Sequence, residues 1–172
     1  GMYLSSSDGT VVSENEISNY SYASSTYLYN IYYYGSTTGS SEISRNKIYN
    51  INNTYSSTSS AIYGIYLSGS TTTYDMNIHN NMIYNLSSYG NTTTSTAYYN
   101  PAGIRIAGGS RWKIHNNTIL MNGIVNSGSG ITNCVLFSTA TAPNTEFRNN
   151  IFVNTSNGTN NYIYWVYDNS AL

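Results

Sequence analysis

The sequence holds one cysteine, two prolines and few charged residues. A single cysteine, Cys134, excludes an intrachain disulfide framework. Charged residues make up 8% of the 172 residues, against about 25% in an ordinary globular domain. The net charge of −1 and the lack of a basic cluster argue against a nucleic-acid partner. No apolar run reaches the roughly 18 residues that a membrane-spanning helix needs.

Uncharged polar residues dominate instead: the chain has 26 Asn, 27 Ser and 20 Thr, together with 20 Tyr. Disordered segments usually combine high net charge with few aromatic or β-branched residues, and this chain has the opposite composition. Thr, Tyr and Ile favour strands, whereas Asn, Gly and Ser favour turns. The composition therefore predicts an all-β protein with many short turns. Its length suits one domain covering residues 1–172.

A short phrase recurs along the chain. IHNN stands at 78–81 and again at 114–117, and anchoring on its second asparagine reveals five copies spaced by 31, 35, 36 and 33 residues. An apolar residue stands three positions before each anchor and another stands two positions after it. Self-similarity of this kind predicts a repeat architecture. The copies are VSENEISNY (12–20), ISRNKIYNI (43–51), IHNNMIYNL (78–86), IHNNTILMN (114–122) and FRNNIFVNT (147–155).

A second apolar strand lies between successive copies, at 29–35, 63–69, 102–108 and 133–138. Strands that return in the same direction without an intervening helix cannot form hairpins. They can wind into a coil in which each strand pairs one turn away, and the crossover rule makes that coil right-handed. Over essentially its whole length the sequence resembles the right-handed parallel β-helix proteins of the pectate-lyase-like superfamily. The resemblance implies a solenoid of about five rungs with three strands each, but it is weak evidence for function.

The resemblance also implies a structural role for the anchor asparagines. In this family an asparagine at the corner between the second and third strands takes a tight, often left-handed bend, and its amide bonds to the amides above and below. Because an amide both donates and accepts hydrogen bonds, such a stack satisfies itself. The expected internal ladder is Asn15, Asn46, Asn81, Asn117 and Asn150, and a second near-ladder is Asn19, Asn50, Asn85 and Asn154, interrupted by Met121.

Charged residues support this alignment of the repeats. Stacked rungs place equivalent residues about 4.8 Å apart, so opposite charges are expected to align between neighbours. Six of the thirteen charged residues fall into complementary pairs in adjacent repeats. The pairs are Glu14 with Arg45, Glu16 with Lys47, and Lys113 with Glu146.

The first strand of each repeat carries the candidate binding surface. Its outward column is predicted to contain Tyr3, Tyr32, Tyr66, Arg105, Val135 and Val166, and the next outward column Ser5, Tyr34, Ser68, Ala107, Phe137 and Asp168. Tyr3, Tyr32, Tyr34 and Tyr66, flanked by Arg105, are a candidate platform for stacking the sugar rings of a polysaccharide or cell-surface glycan. The alternative is that tyrosine is simply a good strand former, since Tyr49 and Tyr84 on the third strand also align.

The lyases and hydrolases of this family carry catalytic or calcium-binding acids on the same face. Here the two columns contain one carboxylate, Asp168. A calcium site needs clustered oxygens and glycoside hydrolysis needs two carboxyl groups, so we predict no catalytic residue, cofactor or metal site in this chain.

For three other features of the sequence we predict no catalytic or metal-binding role. His79 and His115 are predicted to form a solvated polar stack between Ser44 and Arg148 rather than a metal site. Cys134 is expected to point inward at the level of Ile31, Ile65 and Ile104 as a small buried thiol. The longest loop, 87–102, carries Tyr89, Tyr98 and Tyr99 and is a candidate wall of a binding groove.

Neither end of the sequence shows a cap, so we expect either a segment of a longer β-helix or ends covered by end-to-end self-association. The leading functional hypothesis is a non-catalytic segment of a secreted or surface-displayed bacterial protein, acting as a spacer, adhesin or weak glycan-binding surface. The alternative is a fragment of a polysaccharide lyase or glycoside hydrolase whose catalytic acids lie elsewhere. Ice binding requires a regular threonine array. The TTT runs at 71–73 and 92–94 fall in loops of unequal length, so we do not expect this chain to bind ice.

Overall fold

A computed structural model describes residues 1–5, 9–35, 38–57, 60–70, 73–90, 100–125, 130–138 and 142–166, without the side chains of 165 and 166. These residues form sixteen β-strands. The first eight are β1 (Met2–Ser5), β2 (Val11–Ser13), β3 (Glu16–Tyr22), β4 (Leu28–Gly35), β5 (Ser41–Ser44), β6 (Lys47–Asn53), β7 (Ile62–Gly69) and β8 (Met76–His79). The others are β9 (Met82–Ser87), β10 (Ala102–Ile106), β11 (Trp112–His115), β12 (Thr118–Met121), β13 (Ile131–Phe137), β14 (Glu146–Arg148), β15 (Ile151–Asn154) and β16 (Asn160–Val166).

The strands form three parallel sheets wound as a β-solenoid. The first sheet has six strands in the order β1-β4-β7-β10-β13-β16. The second sheet has five, β2-β5-β8-β11-β14, and the third has five, β3-β6-β9-β12-β15. Each strand therefore pairs with its counterpart one rung away, which confirms the fold class predicted from the repeats.

The register of the second and third sheets also follows the repeats. The apolar residue before each anchor pairs with its equivalent, from Val12 opposite Ile43 to Ile114 opposite Phe147. The apolar residue after each anchor does the same, from Ile17 opposite Ile48 onward. Both columns point inward, and their middle members are 0–3% exposed. Stacking of similar aliphatic side chains thus forms the core that joins the three sheets.

The anchor asparagines form the predicted ladder at the corner between the second and third sheets. The side-chain Nδ2 of Asn46 donates to Asn81 Oδ1 at 3.0 Å, and the backbone N–H of Asn46 donates to the same oxygen at 3.0 Å. Asn81 bonds to Asn117 in the same way. The second Nδ2 hydrogen of Asn81 goes to Ile43 O at 2.9 Å. The ladder continues to Asn15 at one end and Asn150 at the other.

The left-handed bend lies one residue earlier than expected. Positive φ angles of 52–59° occur at the residue before each ladder asparagine, not at the asparagine itself. That preceding side chain projects toward solvent, so the position accepts charged residues as well as asparagine. Glycine and asparagine have the lowest energetic cost in the left-handed conformation. The bent residues are Glu14, Arg45, Asn80, Asn116 and Asn149.

The second near-ladder is formed in part. Asn50 Nδ2 donates to Asn19 Oδ1 at 2.9 Å, and Asn85 Nδ2 donates to Asn50 Oδ1 at 2.7 Å. The next member is Asn122, whose Oδ1 accepts the backbone N–H of Asn85 at 2.9 Å. Asn154 is turned away and bonds to the carbonyls of residues 132 and 162. This ladder is exposed, so it adds fewer desolvated bonds than the internal one.

Two glycines allow the first and third sheets to approach each other. A Cβ on Gly103 would lie 2.4 Å from Ile119 Cγ2 and 2.8 Å from the carbonyl oxygen of Cys134. A Cβ on Gly64 would lie 2.6 Å from the carbonyl oxygen of Gly103 and 2.8 Å from Ile83 Cγ2. Any side chain at these stacked positions would therefore force the first and third sheets apart.

Replacing Asn81 with Leu is expected to lower the free energy of unfolding by about 3 kcal/mol, because Asn46, Asn117 and the Ile43 carbonyl each lose a buried partner. Chemical denaturation monitored by circular dichroism measures this. Asn77→Leu is the matched control, since Asn77 lies on β8 of the same rung and faces outward; its effect should stay within about 0.5 kcal/mol. Equal stability of the two variants would contradict the ladder's role.

Gly103→Ala is expected to destabilise the protein by about 1–3 kcal/mol through overpacking. Gly35→Ala is the control, because a Cβ there meets its nearest neighbours at 3.4 Å, an ordinary contact. Thermal unfolding of both variants tests the point. A Gly103→Ala protein as stable as Gly35→Ala would show that the sheets can separate freely.

Candidate functional site

The outer face of the first sheet carries a stack of tyrosine rings. The register places Tyr3, Tyr32, Tyr66 and Arg105 side by side on β1, β4, β7 and β10. The ring centroids of Tyr3 and Tyr32 are 4.5 Å apart, and those of Tyr32 and Tyr66 are 4.8 Å apart, with nearly parallel planes. The first four members of the predicted column therefore align as the repeats indicated. We call Tyr3, Tyr32, Tyr66 and Arg105 the tyrosine column.

Arg105 closes the far end of the column. Its guanidinium carbon lies 5.1 Å from the Tyr66 ring centroid and 4.8 Å from that of Tyr63. Nη1 donates to Tyr63 Oη at 2.8 Å and Nε donates to Ser138 Oγ at 2.9 Å. Arg105 is only 8% exposed. The guanidinium group thus fixes the tyrosines in place instead of offering a free charge to a ligand.

A neighbouring column of tyrosines was not predicted as part of the site. The Tyr29 ring meets Tyr32 edge-to-face at 5.1 Å and Tyr66 at 4.6 Å, and it stacks on Tyr63 at 5.8 Å. Tyr63 is fully buried. Its spacing of three residues from Tyr66 repeats the spacing of Tyr29 from Tyr32, and this repeat is the sequence signal that could have revealed the second column.

Burial disfavours ionisation of three phenols on this face, those of Tyr29, Tyr32 and Tyr63. It raises the pKa of Tyr29 to about 12, with a further contribution from Tyr66. Burial likewise raises the pKa of Tyr32 and of Tyr63. Neutral phenol hydroxyls can both donate and accept hydrogen bonds.

The rings of the tyrosine column mostly cover each other's faces. Tyr32 has a ring on each side, and Tyr66 lies between Tyr32 and Arg105. Tyr3 is 68% exposed at the end of the column. Tyr34, two residues beyond Tyr32, pairs with Ser5 and Ser68 and is half-buried. Among the described residues, the surface open to solvent therefore consists of ring edges and hydroxyls, together with the exposed ring of Tyr3.

The prediction for the last part of both columns was wrong by one residue. β13 pairs so that Leu136, not Val135, lies beside Arg105. Phe137 pairs with Ile106 and lies in the core at 8% exposure, and Ser138 takes the outward position beside Ala107. Val166 pairs with Phe137 and thus leaves the tyrosine column, while Asp168 lies outside the described residues.

Cys134 points inward, as expected, but at a different level. Val135 lies beside Ile104, so Cys134 aligns with Gly103. Its Sγ lies 3.3 Å from the carbonyl oxygen of Val153. The thiol is fully buried and burial raises its pKa to about 12, so it is a core group and not a nucleophile.

The histidine stack forms as predicted, with carboxylates nearer than expected. His79 pairs with His115, between Ser44 and Arg148. Glu42 Oε1 lies 3.4 Å from His79 Nε2, and Glu146 Oε1 lies 3.4 Å from His115 Nε2. The glutamates stand two residues before the histidine column and reach it diagonally. Among the described residues, no three His, Cys, Asp or Glu side chains are arranged to hold a metal ion.

The acidic side chains in the described part of the chain contact side chains of a neighbouring rung. Glu14 meets Arg45 at 2.9 Å and Glu146 meets Lys113 at 2.7 Å, as predicted. Glu16 aligns with Lys47, but its carboxylate instead accepts the Tyr49 hydroxyl while Lys47 lies over the Tyr49 ring. Asp75 pairs with Arg111 at 2.7 Å, a contact the sequence analysis missed.

The long loop 87–102 is described only at its ends. Residues 91–99, including Tyr98 and Tyr99, lie outside the described residues. Tyr89 is half-buried, and the Ser88 hydroxyl bonds to Asn100 Oδ1.

Comparisons with protein-family models, with curated proteins and with solved structures found no match to this chain. The parallel β-solenoid is therefore established by the strand pairing alone. Within the part of the chain that the structure describes, there is no helix long and apolar enough to cross a bilayer.

Stability is expected to fall in acid. The Ser44 hydroxyl holds the pKa of Glu42 below its ordinary value, and the Lys113 ammonium does the same for Glu146. A lowered folded-state pKa stabilises the fold above the unfolded-state pKa, and this contribution disappears as the pH falls through the folded-state pKa. Melting temperatures should therefore drop between about pH 5 and pH 3. In the double variant E42Q/E146Q the melting temperature should fall less over this pH range. If it fell as much as in the unmodified chain, other groups would be the cause of the acid sensitivity.

Proposed function

We propose that this chain is a non-catalytic β-solenoid segment of a secreted or surface-displayed bacterial protein, with a spacer or adhesin role and a weak glycan-binding surface along the tyrosine column. The observation that carries the proposal is the aligned row of tyrosine rings on the first sheet. Membership of the pectate-lyase-like superfamily, which the repeat pattern suggests, belongs to the same proposal.

The chemistry of the column suits a saccharide. Sugars present hydroxyl groups beside apolar C–H faces, and tyrosine offers an apolar ring with a polar tip. The ring centroids are spaced by 4.5 and 4.8 Å, so the hydroxyl groups form a regular row along the solenoid axis. The exposed ring of Tyr3 adds a stacking position. Because the row is open and shallow, binding is expected to be weak and to gain strength from several contacts in parallel.

The arrangement of the acids supports a non-catalytic role. Glu14, Asp75 and Glu146, on the second sheet or its flanking turns, each lie beside a basic side chain of a neighbouring rung. Acid–base cleavage of a glycosidic bond requires two carboxyl groups on either side of the bond. The tyrosine column and the column of Tyr34 contain no carboxylate among their described residues.

A glycan array followed by titration calorimetry tests the proposal. We expect millimolar to high-micromolar binding, roughly, to at least one polysaccharide, lost at least tenfold in the Y32A/Y66A variant. Y49A/Y84A is the matched control, because Tyr49 and Tyr84 form an equivalent stack at 4.7 Å on the third sheet. The control should bind like the unmodified chain.

An absorbance assay for unsaturated uronate and a reducing-sugar assay, run on the same samples, distinguish the enzymatic alternative. Turnover would contradict the non-catalytic proposal and favour a lyase or hydrolase segment. Binding lost equally in both double variants would contradict the tyrosine column as the site. Absence of any binding would leave a spacer role and remove the glycan surface.

A further inference from the structure

The basic side chains of this protein are concentrated away from the tyrosine column. The sequence has six Lys and Arg residues, and all six fall within the described ranges. Five of them stand on the second or third sheet or in the turns that lead into these sheets, and both histidines lie on the second sheet. The first sheet therefore holds one basic residue, Arg105. The other five are Arg45, Lys47, Arg111, Lys113 and Arg148.

These five basic side chains already have partners on their own sheets. Lys47 Nζ lies 4.5 Å from the centroid of the Tyr49 ring on the third sheet. The other four pair with carboxylates of the second sheet or its flanking turns. The pairs are Arg45 with Glu14 at 2.9 Å, Arg111 with Asp75 at 2.7 Å, Lys113 with Glu146 at 2.7 Å, and Arg148 with Glu146.

The charge of Arg105 is covered by the first sheet itself. The residue is 8% exposed, and its guanidinium group lies over the rings of Tyr63 and Tyr66. Two of its nitrogens donate to the hydroxyl groups of Tyr63 and Ser138. A ligand carboxylate at the open edge of the tyrosine column would have to disrupt these contacts before it could pair with the guanidinium group.

Hydroxyl groups line the next outward column of the same face. Ser5, Tyr34 and Ser68 lie side by side there, and each is exposed or half-buried. A hydroxyl group both donates and accepts, so it can pair with a sugar hydroxyl in either direction. An ionised carboxylate loses strong hydration when it is placed against aromatic rings, and a paired cation is what offsets that loss. The face therefore suits sugars that carry hydroxyl groups and no charge.

We propose that the tyrosine column binds an uncharged polysaccharide and discriminates against polymers of uronic acids. The inference rests on the glycan-binding function proposed above and names the class of ligand. The C–H faces of the sugar rings pack on the exposed ring of Tyr3 and on the neighbouring ring edges. The sugar hydroxyl groups pair with the phenol and serine hydroxyls. Because no ion pair forms, the affinity depends little on salt concentration.

Matched ligands test the discrimination. Titration calorimetry compares oligomers of galacturonate, mannuronate and glucuronate with the same oligomers after every carboxyl group has been reduced to a primary alcohol. Mannan, xylan and glucan oligomers complete the uncharged set. The tightest-binding uncharged oligomer should exceed every uronate oligomer in affinity by at least about tenfold. Its dissociation constant should change by less than about twofold between low and high salt, and the Y32A/Y66A variant should lose it.

An added cation tests the cause of the discrimination. Ala107 is half-buried and lies outward beside Ser138, two residues beyond Arg105. A lysine at this position is long enough to reach Tyr66 diagonally across the neighbouring strand. At low salt, A107K should bind the uronate oligomers about threefold more tightly than A107Q, its uncharged control. This gain should disappear at high salt, and both variants should bind the uncharged oligomers alike.

The results separate this inference from the glycan-binding function on which it rests. A uronate oligomer that binds as tightly as the uncharged oligomers, and is lost in Y32A/Y66A, would overturn the inference and keep the tyrosine column as a glycan site. Equal uronate affinities of A107K and A107Q would also overturn it, because the missing cation would then not be what excludes acids. Absence of binding by every oligomer, or binding that survives in Y32A/Y66A, would overturn the glycan surface and this inference together.

Discussion

The hydrogen bond between stacked asparagine amides is the interaction on which this structure depends. At the corner between the second and third sheets, the backbone N–H groups of Asn46 and Asn81 would be buried without an acceptor, and the Oδ1 of the next asparagine supplies one. The same amide also bonds to a carbonyl of the preceding rung. A shift by one residue would break all these bonds and turn the apolar columns outward. The ladder therefore sets the register of the second and third sheets.

A fixed register means that every outward residue meets its equivalents. Tyrosines lie beside tyrosines at 4.5–4.8 Å on two different sheets, and acids lie beside bases of the next rung. The recurrence on the third sheet shows that stacking by itself is a consequence of the fold. What distinguishes the first sheet is the second tyrosine layer at Tyr29 and Tyr63 and the buried guanidinium that holds both layers together.

The corners could be predicted from the sequence because each carries an asparagine between two fixed apolar positions. β13 could not be placed in the same way. Its residues are all buried, from Ile131 to Phe137, so no alternation of apolar and polar residues marks its inward side. The small residue opposite Gly103, Cys134, was therefore assigned to the aliphatic column one step away. Diagonal contacts such as that of Glu42 with His79 depend on the length and rotamer of each side chain, and an alignment of the repeats does not give the rotamer.

The separation of inward and outward columns decides where function can change. An inward substitution disturbs neighbours in two rungs, as the asparagine and glycine positions show, whereas an outward one alters a surface that the fold does not require. The outward residues of the first sheet can thus vary while the ladder stays intact. The ladder's polarity is different, because it cannot be removed without losing the fold. Each ladder asparagine donates to the next rung and accepts from the preceding one, so a substitution at any of these positions breaks hydrogen bonds in both directions along the solenoid.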